Sequence, residues 1–354
     1  MNMAVHVNWL SILVLCVVLP YIFQQEVNGA AITETTVEES VNEETTTELE
    51  AVTEEACGPC NLKGDPLLAG PQPPFEAETQ DYPGLESKMN PRPDYGYRSY
   101  GGNERLQGKV AIITGGDSGI GRAVALAFAR EGASIVISYL NETEDAEETK
   151  KLVEEQGQEC IIIPGDIGDE DHCRKIINET VTKFERIDIL VNNAAYQGKM
   201  LDDSIEGMSH ERVLYTFKTN IVSMFDLTRF AVPHMPKGSS VINVASIQAY
   251  HPSAGILDYA ATKAAIVAFT KGLAGHMLGK GIRVNCVAPG PVWTPLIVSS
   301  LPKEHIAQFA ADHPIKRPAQ PREVAPVFVF LAAGRDSSYI TGGVFSVTGG
   351  LITA

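Results

Sequence analysis

The stretch "KVAIITGGDSGIGRAVALAFAR", Lys109 to Arg130, decides the fold. Its first six residues form a short apolar, β-branched run, the pattern of a buried strand. Glycines interrupt it, and a helical pattern follows from Ile120 to Glu131. Outward from this unit the alternation repeats. "SIVISYL" precedes a charged helix from Glu144 to Glu155, and "CIIIPGD" precedes a helix from Asp169 to Phe184. "IDILVNNAA" leads to a long helical stretch around Glu211 to Phe230. "SVINVAS" leads to a helix from Tyr259 to Leu278, "IRVNCVAPG" to a helix after Pro321, and "GVFSVTG" is a last strand. Continuous apolar strands separated by amphipathic helices mean a parallel sheet covered on both faces. The expected fold is a doubly wound, seven-stranded, Rossmann-type α/β sheet in one domain, residues 106–354.

The turn between the first strand and its helix carries the first chemistry. Gly115 permits a tight turn, Gly119 lets backbone approach a pyrophosphate, and Gly121 lets helix and strand pack closely. The helix N-terminus offers unpaired N–H groups and the positive end of a dipole to phosphates. A dinucleotide site follows. The end of the second strand discriminates between dinucleotides, because a carboxylate there bonds the ribose 2′-hydroxyl and repels a 2′-phosphate. This chain has Ser138-Tyr139-Leu140-Asn141, with no carboxylate until Glu142. That favours NADP(H) and leaves NAD(H) possible, since no arginine marks a phosphate site at the same point.

"DYAATKAA", Asp258 to Ala265, places Tyr259 and Lys263 four positions apart. On a helix the two side chains share one face. An ammonium beside a phenol favours its ionised form, so the pair is a candidate proton-transfer device.

The N-terminal third is different. "WLSILVLCVVLPYIF", Trp9 to Phe23, is an apolar run of signal-peptide length, with small residues at Gly29 and Ala30 suited to cleavage. Residues 1–29 are therefore expected to be a signal peptide, or an N-terminal anchor if uncleaved, and the chain to enter the secretory pathway. Membrane attachment is expected only in the uncleaved case. Residues 30–65 form an acidic tail. Nine glutamates and no Lys or Arg lie between Ala30 and Glu55, more than half of the net charge of −16. Such a one-sign, weakly apolar segment is expected to be disordered. Residues 66–105 are rich in Pro, Gly and Tyr and read as an irregular arm that packs on the body. No basic run or mixed basic–aromatic patch points to nucleic acid, and no metal site is read. Cys57 and Cys60 have dithiol spacing without strand–helix context, while Cys160, Cys173 and Cys286 read as core fillers. Asn141 and Asn178 are glycosylation acceptors if the chain is secreted.

From Leu106 to the C-terminus these motifs resemble the short-chain dehydrogenase/reductase family. Thr114-Gly115-x-x-x-Gly119-x-Gly121 is similar to its cofactor turn, and Asn192-Asn193-Ala194-Ala195 to its "NNAG" element with alanine for glycine. "PGLESKMNPRPDYG" in the arm and the glycine-turn run resemble the glucose and ribitol dehydrogenase branch. The resemblance implies a catalytic set of Asn220, Ser246, Tyr259 and Lys263. Tyr259 would exchange the proton, Lys263 would lower the phenol's pKa and hold the nicotinamide ribose, and Ser246 would hold the substrate oxygen. Asn220 would keep a relay water. The implied cofactor contacts are Gly115, Ser118, Gly119, Ile120, Gly121, Tyr139, Asp166 (adenine), Ile167, Asn193, Ala194, Tyr259, Lys263, Pro289, Gly290, Val292 and Thr294. It also implies a homotetramer.

Substrate contacts are expected from Gln248 to Ile256, from Tyr196-Gln197, and from Pro291 to Pro314. Tyr250 and His251 are candidates for a polyol, and Val292, Trp293 and Leu296 for an apolar lid. The expected activity is hydride transfer between nicotinamide and an aldehyde, ketone or sugar alcohol. The alternative is a secreted binding or structural module on the same fold without turnover.

Overall fold

A computed structural model describes residues 66–201 and 204–353. The signal-like segment, the acidic tail, Cys57 and Cys60 lie outside the described residues. Seven strands form one parallel sheet: β1 (Val110–Thr114), β2 (Ser134–Tyr139), β3 (Cys160–Pro164), β4 (Ile189–Asn192), β5 (Ser240–Val244), β6 (Arg283–Pro289) and β7 (Val344–Val347). Their spatial order is β3-β2-β1-β4-β5-β6-β7. The order reverses between β1 and β4, where a crevice opens at the carboxyl ends of the strands.

The helices between them are α1 (Gly119–Arg130), α2 (Thr143–Glu154), α3 (Glu170–Phe184), α4 (His210–Phe217), α5 (Ser223–Ala231), α6 (Leu257–Met277), α7 (Pro295–Ser300), α8 (Lys303–Ala307), α9 (Pro321–Ala332) and α10 (Gly334–Ser337). Neighbouring strand residues point to opposite faces. Ile113, Ile135 and Ile137 pack against Ala127 and Phe128 of α1 and Phe328 and Val329 of α9. Ile112, Val136 and Leu190 pack against Ile176 and Ile177 of α3 and Leu227 of α5. Each such aliphatic side chain contributes about 1.5–3 kcal/mol on burial. Cys160, Cys173 and Cys286 are buried free thiols in this interior. No helix among the described residues is long and apolar enough to cross a membrane.

One element departs from the sequence pattern. The helical stretch expected around Glu211 to Phe230 is α4 and α5 joined by a π turn, Lys218–Val222. Asn220 sits in that turn, and single π turns inside α-helices are frequent at functional sites.

The arm runs as an irregular strap with two short 3-10 turns, Pro66–Leu68 and Glu86–Lys88. Phe75 stacks on Trp293 with ring centroids 4.3 Å apart. Arg130 of α1 donates to the carbonyls of Gly96, Tyr97 and Tyr100 at 3.0, 2.7 and 2.6 Å. Deeper still, Glu86 is fully buried and pairs with Arg122 of α1 at 2.7 Å.

Candidate active site

At the carboxyl ends of the strands lies a cleft of about 570 Å³, within the size range of small-ligand sites. β1 delivers Thr114 to its edge, and Gly115 follows with φ +61°. Gly121 is the tightest position, since a Cβ there would lie 1.8 Å from the Gly115 carbonyl oxygen. Thr114 Oγ1 accepts from the backbone N–H groups of Asn193 and Ala194, both at 3.0 Å. Asn193 Nδ2 donates back to the carbonyls of Thr114 and Gly115 at 2.9 and 3.0 Å. The glycine turn and the end of β4 are thereby stitched into one wall across the switch point.

Gly115, Ser118, Gly119, Ile120, Tyr139, Asp166, Ile167, Asn193, Ala194, Tyr259, Lys263, Pro289, Val292 and Thr294 all line this cleft. Gly121 and Gly290 stand behind its wall, Gly121 against Gly115 and Gly290 against Thr348, whose Cα would be 2.9 Å from an added Cβ. The donor set fits a dinucleotide. The amino end of α1 opens into the cleft, the cradle is too close for side chains, and Ser138 Oγ is buried on the lining with no hydrogen-bond partner.

Sequence reasoning missed two carboxylates here. Asp117 from the glycine turn and Glu142 from the start of α2 are both buried on the cleft lining. Burial, then the Glu142 charge, push Asp117 up to about 7. Glu142 is also raised by burial. Like-charged neighbours in one recess resist ionising together. The expectation of no carboxylate at the end of β2 thus holds for the strand itself, but the chain reverses and returns Glu142 to the site.

The candidate proton-transfer residues line the same cleft. β5 ends at Val244, and Ser246 follows two residues later with its hydroxyl against the Tyr259 phenol. Tyr259 and Lys263 lie one turn apart on α6, both buried, with Lys263 Nζ 5.2 Å from the Tyr259 ring centroid. Asp258 fixes the start of this helix by accepting from Arg212 Nε and Nη2, each at 3.0 Å, and from Thr216 Oγ1 at 2.7 Å. The ammonium stands over the ring and donates to the Val244 carbonyl at 2.8 Å. The expected electrostatic priming of the phenol is not what this arrangement gives. Burial pushes Tyr259 up to about 12, with the Ser246 hydroxyl pulling it back, and burial draws Lys263 down to about 8. At neutral pH the phenol and the ammonium are both protonated.

Asn220 takes a different position from the one expected of a water holder. Its Oδ1 accepts from Tyr196 N at 2.7 Å, and its Nδ2 donates to Tyr196 O at 2.9 Å and Thr262 Oγ1 at 3.0 Å. Both amide hydrogens are committed, so the side chain clamps the loop after β4 onto α6.

Of the residues expected to meet substrate, Gln197, Ser246, Gln248, His251, Val292 and Leu296 line the cleft. Three expected contacts, Trp293, Tyr250 and Tyr196, are not on this lining. Trp293 turns into the body, stacked on Phe75 and donating Nε1–H to the Pro91 carbonyl at 2.7 Å. Tyr250 packs against the cluster around Met224, Ala245 and Ile266. Tyr196 is held between two other tyrosines.

The comparisons with known proteins agree with this geometry. Residues 115–352 match the family model described as enoyl-(acyl carrier protein) reductase. "Uncharacterized oxidoreductase YhdF" of Bacillus subtilis is 52% identical over 276 residues, covering 78% of this chain and 94% of the relative. "Glucose and ribitol dehydrogenase homolog 2" of Arabidopsis thaliana is 48% identical over 291 residues, covering 80% and 99%. "NADPH-dependent aldehyde reductase 1, chloroplastic" of the same plant is 49% identical over 276 residues, covering 76% and 95%. A solved short-chain dehydrogenase from Burkholderia cenocepacia, in complex with NADP, superposes with a TM-score of 0.64 at 30% identity, covering 70% of this chain and 98% of its own. With the switch-point cleft, the glycine cradle and the buried Ser–Tyr–Lys group in one site, the chain is an oxidoreductase of the short-chain dehydrogenase/reductase family.

Proposed function

We propose that this enzyme reduces a carbonyl compound, or oxidises the matching alcohol, with NADP(H) favoured and NAD(H) accepted. One observation carries the proposal: Ser246, Tyr259 and Lys263 line the same cleft as the glycine turn. The name of the aldehyde reductase relative and the NADP complex of the structural neighbour support the cofactor preference. Gly115, Ser118, Gly119, Ile120, Asp166, Ile167, Asn193, Ala194, Pro289, Val292 and Thr294 would hold the dinucleotide. When bound, the nicotinamide supplies or accepts the hydride.

The protein's own work is proton placement. Tyr259, neutral at physiological pH, donates its proton to the carbonyl oxygen in reduction. Ser246 donates a hydrogen bond to that oxygen where charge develops. Lys263 holds positive charge beneath the phenol as it becomes phenolate. Asn220 keeps the loop carrying Ala194 and Ala195 in register with α6. A panel of aldehydes, ketones and polyols with NADPH and NADH, run on wild type and Tyr259→Phe, tests this. Turnover lost in the variant supports the proposal; cofactor binding without turnover on any substrate supports the rival binding module.

Two further proposals stand on the sequence and the resemblance. The exposed Phe225, packed on Phe269 at 4.5 Å, supports a subunit interface on α5 and α6, and light scattering reads the expected tetramer. Entry into the secretory pathway is proposed from Trp9 to Phe23; a mature protein starting at Met1 and unglycosylated at the exposed Asn141 and Asn178 counts against it.

A further inference from the structure

We propose that Tyr82, carried by the arm, is a wall of the adenosine end of the cofactor cleft and sets affinity for that half of the dinucleotide. The inference rests on the dinucleotide proposal above. It concerns a segment outside the strand–helix pattern and outside residues 115–352 matched by the family model.

The loop that presents Tyr82 is built and anchored at both ends. Gln80 closes it, its Oε1 accepting from Leu85 N at 2.7 Å and its Nε2 donating to Leu85 O at 3.1 Å. Gln80 N donates to the Val298 carbonyl of α7 at 2.9 Å. On the far side Glu86 N donates to Asp145 Oδ2 at 2.7 Å, and Glu86 Oε2 accepts from Gly119 N at 2.6 Å. Glu86 Oε1 accepts from Arg122 at 2.7 Å. Between the anchors, Gly84 adopts φ +82° so close to Pro295 that an added Cβ would lie 3.2 Å from its carbonyl oxygen. The loop is thus held to the glycine turn and to the segment after β6 at once.

At its apex the Tyr82 hydroxyl donates to the Ala195 carbonyl at 3.4 Å. Its ring meets Tyr196 edge-on at 4.9 Å, and Tyr196 meets Tyr215 edge-on at 4.7 Å. Tyr82 and Tyr215 line the cleft beside Asp166 and Ile167. Burial above all, then the neighbouring Tyr215, Glu142 and Asp166, raises the phenol's pKa and keeps it neutral. Two aromatic side chains and an acceptor carboxylate around one recess suit a flat, amine-bearing purine. A preformed wall also reduces the ordering cost of binding.

The test is equilibrium binding to the full chain, measured by NADPH fluorescence, with adenosine 2′,5′-bisphosphate as competitor. Tyr82→Ala is expected to weaken both ligands about tenfold, the scale of losing one base–aromatic contact. Tyr82→Phe is expected to stay within about twofold of wild type, and Tyr82→Leu, which keeps apolar bulk, to weaken both as Ala does. The KM for the dinucleotide should rise with its Kd, while the carbonyl KM moves far less. Unchanged NADPH affinity in folded Ala and Leu variants overturns the proposal. So does weakened NADPH binding with unchanged bisphosphate binding, which would place Tyr82 elsewhere. Wild type that binds neither NADPH nor NADH sinks the dinucleotide proposal itself, a separate result.

Discussion

Lys263 Nζ donates to the carbonyl of Val244 at 2.8 Å, tying α6 to the strand end that delivers Ser246. The ammonium is held in a buried site with its pKa drawn from 10.5 to about 8. Between about pH 8 and 10.5 the unfolded chain holds a proton that the folded chain has released. Stability therefore rises with pH across that window, and the cost of burying the charge is fully present below about 8. The shift corresponds to about 3 kcal/mol. Lys263→Met is expected to raise Tm at pH 7 while abolishing turnover; calorimetry beside the carbonyl panel reads both. A lowered Tm would mean the Val244 bond outweighs the burial cost.

Because burial holds the Tyr259 phenol near 12, reduction and oxidation should respond differently to pH. The proton donor is abundant at pH 6–8, so carbonyl reduction is expected to be nearly flat there. Alcohol oxidation needs the phenolate and should rise by up to about tenfold per pH unit from 7 to 9. Initial rates in both directions, with Tyr259→Phe as control, check this. Oxidation that is flat over the same range would contradict it.

Asn220→Ala leaves the Tyr196 backbone N–H and carbonyl without their partners in a half-buried loop. Each orphaned group costs about 1–3 kcal/mol, so chemical denaturation should show a loss of about 3 kcal/mol. NADPH binding should weaken as well, since Ala194 and Ala195 shift with the loop. Loss of turnover with stability and cofactor affinity intact would return Asn220 to a direct chemical role.

Asp117 and Glu142 are expected to make dinucleotide choice depend on pH. As pH rises through about 7 Asp117 ionises beside Glu142, and the added negative charge repels a 2′-phosphate. The NADPH-over-NADH preference is expected to fall between pH 6 and 8 in wild type and to flatten in Asp117→Asn. The same variant should improve NADPH affinity relative to NADH by about tenfold. The cofactor's own phosphate titrates near pH ~6, so the difference between wild type and variant is the quantity that decides. Equal profiles would remove the pair from cofactor selection.

The sheet was readable because each strand is an unbroken apolar run and each crossover has one allowed hand. The glycine turn and the Tyr259–Lys263 spacing were readable from the residues themselves, and the remaining lining residues came from the family resemblance of the motifs. Other features had no local signal. Asn220 lies in a stretch whose apolar spacing continues through the π turn, so nothing in the pattern marks the extra residue. Glu142 reaches the cleft only because the chain reverses at the start of α2. Tyr82 meets Ala195 across 113 residues of sequence, a contact without periodicity. The ammonium's preference for the Val244 carbonyl is set by depth, which spacing along a helix does not encode.

Only two tryptophans occur in the chain, Trp9 and Trp293. The second, 1% exposed, is stacked on the arm's Phe75 and joined covalently to Val292 and Thr294 in the cleft wall. That indole is a natural optical gauge, quenched or shifted by whatever disturbs the strap or the ligand recess. With Trp9 replaced by Phe, its emission would follow both events without any attached dye.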